Sequence, residues 1–426
     1  MNDLAQASGV RPLAGIRVLE FATAIQGPAA GQWLADLGAE VIKVEPPMGD
    51  SSRYIGQFDP GDPGSQFIAV NRGKRSICLD AHSAMGQALL ARLVATCDVF
   101  LSNFRESALQ RMSLDCDSLK NHNPTLIYAV ASGFGALGPD AGKAMVDGAA
   151  QARGGLAGVT GQPDQAPTPP GATIADTAGA MTLALGIITA LYDRAANGVN
   201  RRVDTSALGA QLWLQIWELQ HTALTGVEPV RSGSHHPQLL GPIGVYTTSD
   251  NVPYHFSLMM DVEAWRSLWR FCGQPEVAMD PRWDHPSKQF SVGPGAADVA
   301  EIRCRMQQGF ATKSAAEWDV FLTSQPELIC ERVRSYSEVL DDEQNIANGY
   351  VSNLQLADGR SVPTIGIPIA FDSNPRTEFP PPPALGEGTE ETMLALGFSD
   401  QDCEQLEVEL EAARAVILRA REQPEQ

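Results

Sequence analysis

The sequence predicts an α/β fold: a large domain built on a parallel sheet with helices on both faces, and a second, smaller α+β domain. Three observations predict it. Short apolar runs of strand type alternate with helical stretches through the first half of the chain. At 426 residues the chain exceeds what one ordinary core supports. From Gly226 to Gly244 the composition shifts to Pro, Gly, Ser and His, which marks a linker or a boundary.

IRVLEF (16–21) reads as the first strand, and Gly27-Pro28 then opens a helical AAGQWLADLGA. EVIKVE (40–45) and RSICLD (75–80) are the next strands, followed by an amphipathic helix near 83–96 and by DVFLS (98–102). TLIYAVA (125–131) is a further strand, ending in the turn-rich SGFGALGPDAG. In a sheet of this kind ligands bind beyond the carboxyl ends of the strands, so the loops after Phe21, Glu45, Ser102 and Ala131 are the ones to inspect. Helices are expected over 146–161, 176–197 and 205–224. The spacing places a large domain at 10–225, completed by a C-terminal helical segment at 386–426. A small domain spans 226–340, with strands at GVYTTSD and YHFSLM and helices near 262–272 and 297–312. Residues 341–385, strand-like and Pro-rich and ending in FPPPPALGEG, read as an extended return linker.

The formal charge of −20 argues against a nucleic-acid partner, whose phosphates such a chain repels. Seven scattered cysteines show neither metal-ligand spacing nor a disulfide framework, and they read as reduced thiols of a cytoplasmic protein. No metal site is expected. The N-terminus lacks the basic and apolar regions of a secretion signal, and the longest apolar run, 181–191, falls short of a bilayer span, so no membrane partner is expected. P-loop, HExxH and GxSxG motifs do not occur, and Ala24-Ile25-Gln26-Gly27-Pro28 stands where a GxGxxG would follow the first strand.

Asp176 carries the strongest chemical signal. It lies in GATIADTAGAM, a carboxylate among residues of little bulk, in the first turn of an apolar helix that Asn197-Gly198 stops. The positive end of the helix favours the ionised form, and an accessible ionised carboxylate can act as a nucleophile. The plainer reading is an N-cap, and Asp147, at the start of another helical stretch, has the same plain reading. Pro28, expected at the first helical position with free N–H groups just before it, suits a phosphate or pantetheine cradle. Lys74-Arg75 with Arg72 nearby, and Asn103-Phe104-Arg105 with Arg111, form two basic clusters beyond sheet strands. They suit the phosphates and base of an adenine nucleotide, or are solvated surface. His235-His236 reads as a loop pair with at most a substrate-orienting role, and Trp213 and Trp217 as packing residues at i and i+4 of one helix.

In combination these segments resemble the family III CoA-transferases, the carnitine CoA-transferase and formyl-CoA transferase group. LAGIRVLEFATAIQGPAAGQWLADLGAEVIKVEPP is similar to the family's opening. VNRGKRSICLD, DVFLSNFRESALQRMSLD, NPTLIYAVASGFGALGP, DGAAQARGGLAGVTG, ADTAGAMTLALGIITALYDR and ALGEGTEETMLALGFS follow in the family's order. The resemblance implies a Rossmann-like large domain, a small domain, long linkers and two subunits threaded through each other as an interlocked homodimer. It implies that acyl-CoA and a small carboxylic acid are the substrates, with CoA a substrate and no permanently bound cofactor. Asp176 then corresponds to the nucleophile that forms an aspartyl–acyl anhydride and an aspartyl–CoA thioester, with Asp147 an acidic neighbour. Ala24, Ile25 and Gln26 correspond to main chain that touches CoA, Asn103, Phe104 and Arg111 to CoA contacts, and Lys74 and Arg75 to the basic pair at a strand edge.

The chain departs from the group in three places. GSHHPQLLGPIG is not the glycine-rich active-site loop of formyl-CoA transferases, which argues against formate and oxalate as the native acids. AGKAMVDGAAQARGG lacks the histidine that racemases of this fold use as a base, and the C-terminus continues into an acidic helix. CoA transfer is the leading expectation; an acyl-CoA isomerase or racemase, and a CoA-binding protein without turnover, stand as alternatives.

Overall fold

The computed structural model describes residues 11–58, 62–239, 241–258, 261–285, 288 and 296–422. The chain divides into two compact units, one made of 1–154, 172–214 and 340–426, the other of 155–171 and 215–339.

The larger unit is built on a parallel sheet. Strand β1 (Arg17–Phe21) leads to α1 (Gln26–Asp36) and β2 (Glu40–Glu45). Next come a short 3-10 turn (Ser51–Tyr54), α2 (Ser65–Asn71), β3 (Arg75–Cys78), α3 (Ala84–Thr96) and β4 (Val99–Ser102). Helices α4 (Glu106–Arg111) and α5 (Cys116–His122) precede β5 (Ile127–Ser132), and α6 (Asp147–Arg153) follows it. After α7 (Leu156–Val159), which belongs to the smaller unit, come α8 (Ile174–Asn197), β6 (Arg202–Ser206) and α9 (Ala207–Leu214). The strand order is β3-β2-β1-β4-β5-β6, every neighbouring pair parallel, as in the doubly wound nucleotide-binding folds. Strands β1 to β5 are largely buried on both faces, which is why most of them read as apolar runs.

Helix α8 covers one face. By length and composition this 24-residue helix is apolar enough to cross a membrane, longer than the run at 181–191 suggested. It packs instead on α1, β5 and β6, burying Ala180, Leu183, Ala184, Ile187 and Leu191. Met181, Leu185 and Tyr192 on its other side are exposed.

The sequence reading missed β6, because Arg202-Val-Asp-Thr-Ser206 alternates polar residues at the sheet edge and lacks the apolar run of its neighbours. The helix expected over 205–224 is two helices, α9 and α10 (Ile216–Thr225), broken at Gln215. The smaller unit holds α7, α10, β7 (Gly244–Thr247), β8 (Pro253–Leu258), α11 (Val262–Phe271), α12 (Ala296–Phe310), α13 (Ala315–Thr323) and β9 (Ile329–Arg332), with an antiparallel sheet in the order β7-β8-β9. Its core is aromatic: Trp265, Trp269, Trp318, Phe310, Tyr246 and Tyr254 are buried together.

After α14 (Tyr336–Leu340) and α15 (Glu343–Ala347) the chain is not simply a linker. Residues 341–385 contain β10 (Val351–Gln355), β11 (Ser361–Ile365) and β12 (Glu378–Phe379), in the order β11-β10-β12. The hairpin turns at Asp358-Gly359, where Gly359 takes a φ of +88° that a side chain would resist. Helices α16 (Thr389–Ala395) and α17 (Asp400–Glu422) return to the large unit, with Met393, Phe398, Leu406 and Leu410 in the same core as Leu89, Leu90 and Leu93 of α3.

Candidate functional site

The strand order reverses between β1 and β4, the switch point where sheets of this kind bind ligands in a crevice outside the carboxyl ends of the strands. Residues 22–25 and 103–105 form the loops leaving these two strands. They are tied together: the Asn103 side chain accepts from the Thr23 N–H at 3.0 Å and donates to the Thr23 carbonyl at 2.8 Å. Phe104 packs on Phe21, centroids 5.1 Å apart. Asn103 therefore shapes the loop on which its expected ligand contact would be made.

Ala24 adopts a φ of +63°, a left-handed conformation disfavoured for a residue with a Cβ. It delivers the chain into α1, whose first residues are Gln26, Gly27 and Pro28, so Pro28 is the third helical residue and not the first. Close approach fixes the small residues here: a Cβ on Gly27 would meet the Cβ of Ala22 at 2.5 Å, and one on Gly179 would meet Gln26 Nε2 at 2.4 Å. Gln26 is thus laid against α8. Its Nε2 is buried without a hydrogen-bond partner.

Gly179 stands three residues after Asp176 and shares its helix face. Asp176 is the third residue of α8, past the N-cap position, which Thr173 occupies without a side-chain cap. The cap comes from α6: Asp147 Oδ1 accepts from the N–H groups of Ala175 at 2.7 Å and Asp176 at 3.1 Å, and Gln151 holds its other oxygen. The capping duty considered for Asp176 thus falls to Asp147, and among the described residues no hydrogen bond ends on the Asp176 carboxylate. Burial, and then the Asp147 charge, push the Asp176 pKa up to about 6. This reverses the direction expected from the helix dipole alone, though the group is still mostly ionised at neutral pH.

The basic pair lies at the start of the edge strand β3, as expected, but only Arg75 reaches the surface. Lys74 is fully buried, its ammonium donating to Glu20 Oε2 (2.7 Å), the Pro28 carbonyl (2.7 Å) and Asn71 Oδ1 (2.9 Å). Burial pulls its pKa down to about 8 against the pull of Glu20. Arg72 is buried on Asp36 at 2.5 Å and beneath the Phe379 ring. Arg75 is partly exposed and pairs with Glu391 at 2.8 Å. A buried cation must be paired, and that requirement, not phosphate, consumes Lys74 and Arg72 in the connection between α2 and β3. Arg111, at the end of α4, is exposed.

The residues behind the crevice form a buried network that the sequence reading did not pick out. Lys43 Nζ lies 3.0 Å from Glu20 Oε1, 2.8 Å from Asp50 Oδ2 and 3.0 Å from the Ala22 carbonyl. Burial alone would lower the Lys43 pKa, but Glu20, Asp50 and Glu45 raise it. Burial would likewise raise Asp50, yet Lys43 and its hydrogen bonds hold it down to about 2.

CoA-transferase family III matches residues 13–389. The chain belongs to that family. It is similar to the succinate–glutarate CoA-transferase of Agrobacterium fabrum, at 32% identity over 396 residues that cover 90% of this chain and 96% of that one. It is also similar to the succinyl-CoA–D-citramalate CoA-transferase of Chloroflexus aurantiacus, at 38% identity over 274 residues, 64% of this chain and 68% of that one. A CaiB/BaiF family protein from Brucella suis has the same fold, with a TM-score of 0.78 at 30% identity, covering 91% of this chain and 100% of that one. The protein is a CoA-transferase.

In the transferase's smaller unit, His236 Nε2 lies 3.1 Å from Glu218 Oε1, while its Nδ1 accepts from the Gln238 N–H at 3.2 Å. Its ring stacks on Trp217, centroids 5.0 Å apart. His235 is half-buried with Nε2 unpartnered, and burial lowers its pKa to about 4. Trp213 and Trp217 are not core packing residues of one helix; they lie on α9 and α10 and both are exposed. Among the described residues no cluster of three or more His, Cys, Asp or Glu could hold a metal ion.

Proposed function

We propose that the protein moves CoA from an acyl-CoA to a carboxylic acid, with Asp176 as the nucleophile. One observation carries the reading: a half-buried carboxylate, free of hydrogen bonds in the first turn of α8, three residues before the Gly179 on which an unpartnered buried amide is laid. An Asp176 oxygen attacks the thioester carbonyl, the C–S bond breaks, and an aspartyl–acyl anhydride and CoA thiolate result. The thiolate attacks the aspartyl carbonyl, releases the first acid and leaves an aspartyl–CoA thioester. A second carboxylate attacks that thioester, forming a new anhydride, and CoA thiolate returns to its acyl carbon to free Asp176. The Gln26 amide is a donor with no partner to give up, suited to oxyanions formed on the way. A good donor of this kind contributes roughly 3–4 kcal/mol.

CoA lies along Ala24, Ile25 and Gln26 and the Asn103-Phe104 loop, with Arg111 the exposed cation for its phosphates and Arg75 available if it exchanges Glu391. Lys74 supports this surface from beneath. Two of the relatives are named for C4–C5 dicarboxylic acids, one of them with succinyl-CoA, and others for formyl-CoA, acetyl-CoA and oxalate. The absence of a glycine-rich loop in GSHHPQLLGPIG favours the dicarboxylic pair with succinyl-CoA as donor. The test incubates the enzyme with succinyl-CoA, traps with hydroxylamine or borohydride, and measures intact mass and the modified residue. Modification at Asp176 is expected. Exchange of the α-proton in deuterated water without an adduct would instead mean an isomerase, and neither result would mean a CoA binder.

The working form is proposed to be an interlocked homodimer. The exposed Met181, Leu185 and Tyr192 on one face of α8, and Trp213 and Leu214 on α9, leave apolar surface that a second copy would cover. Light scattering on the purified chain is expected to give twice its mass; a monomer at micromolar concentration would overturn this.

A further inference from the structure

We infer that Asp50 is a positioning residue for CoA binding, acting through the loop between β1 and α1; this rests on the reading of that loop as the CoA surface. Ala24 holds a left-handed conformation that a residue with a Cβ disfavours, so its surroundings must hold it there. One oxygen supplies much of that hold. Asp50 Oδ1 accepts from Thr23 Oγ1 at 2.8 Å and from the Ala24 N–H at 3.2 Å. It also accepts from the Ser52 N–H at 2.9 Å and Ser52 Oγ at 2.8 Å, which ties the loop to the turn after β2.

The other oxygen, Oδ2, sits 2.8 Å from Lys43 Nζ, and the same ammonium donates to the Ala22 carbonyl. Residues 22, 23 and 24 are therefore each held by the Asp50–Lys43 pair, and Asn103 closes on Thr23 from the opposite side. Asp50 is 2% exposed and Lys43 is fully buried, so neither can touch a ligand. What they control is the direction in which the chain leaves Ala24, and hence where Ile25 and the Gln26 amide stand against Gly179 of α8. A rotation at Ala24 would carry both away from the crevice.

Thr23→Val separates this role from general stability, because it removes the hydroxyl bond to Asp50 and leaves the Asp50–Lys43 pair untouched. Calorimetric titration of the full-length protein with free CoA is expected to show about 3- to 10-fold weaker binding for Thr23→Val, the equivalent of one hydrogen bond. The melting temperature is expected to stay near that of the parent, and Thr23→Ser is expected to restore the parent affinity. Asp50→Asn, titrated below its own melting temperature, is expected to bind at least as weakly as Thr23→Val. Parent-like affinity in folded Thr23→Val and Asp50→Asn would overturn the inference while leaving the transferase reading intact. A parent protein that does not bind CoA would overturn both.

Discussion

Asp176→Asn is expected to abolish CoA transfer and to make the fold more stable. The amide keeps the shape of the carboxylate but is too poor a nucleophile to open a thioester, so the loss is expected to be on the order of 10⁴-fold or more in turnover. CoA binding is expected to persist, since the surface assigned to CoA lies on the loops after β1 and β4. The stability gain follows from the pKa. Burial and Asp147 raise the folded-state value to about 6, above the ordinary value of 3.8, so the ionised form is disfavoured in the fold. The favourable contribution of the protonated group is fully present below about pH 4 and is lost as pH rises through about 6. At pH 7 the parent therefore carries a cost of about 1–2 kcal/mol, allowing for screening of a partly exposed group. The asparagine variant lacks that cost. Its melting temperature is expected to exceed the parent's at pH 7 and to converge with it near pH 4. Transfer in the parent should fall as pH drops below about 6, and Asp147→Asn, which keeps an acceptor for the α8 cap, should move that fall to lower pH. A variant that retains a tenth of parent turnover would remove Asp176 from the chemistry.

Much of this site was legible in the order of residues, and the parts that were not share a cause. The strands β1 to β5 announce themselves as apolar runs, and the loops after Phe21 and Ser102 do flank the point where the strand order reverses. Asp176 stands out because small neighbours surround it. What a sequence read locally does not reveal is which way a polar side chain points. Lys74 reads as a surface charge beside Arg75, yet one turns inward to Glu20 and the other out to Glu391. Asp147 reads as the cap of its own helix, while its carboxylate caps the next helix in space. Two signals were present and passed over. Glu20, Lys43 and Glu45 are charges inside strands of parallel type, where a charge must find its opposite. Asp358-Gly359 between alternating residues is a hairpin turn, which placed a sheet where extended chain was expected.

Lys43→Met is expected to be the most damaging single change to the fold. Glu20 would still have Lys74, but Asp50 would be left as a carboxylate buried without a cation, and breaking such a pair costs about 3–5 kcal/mol. Urea unfolding followed by circular dichroism is expected to show that loss at pH 7. The pH course carries the sign of the effect. Lys43 and the hydrogen bonds hold Asp50 down to about 2 in the parent, so the pair's contribution is present above about pH 4 and is lost as pH falls through about 2. In the variant Asp50 has lost that hold and takes up its proton at higher pH, so the gap to the parent should narrow below about pH 4. Lys43→Met combined with Asp50→Asn removes both charges, and it is expected to recover part of the stability. It is not expected to recover CoA affinity, because the amide loses the partner that fixed its orientation beneath Thr23 and Ala24. A double variant that regains stability and affinity together would show that the buried pair only fills the core. Stability regained with affinity still impaired would mean that the charge is kept for the loop it holds.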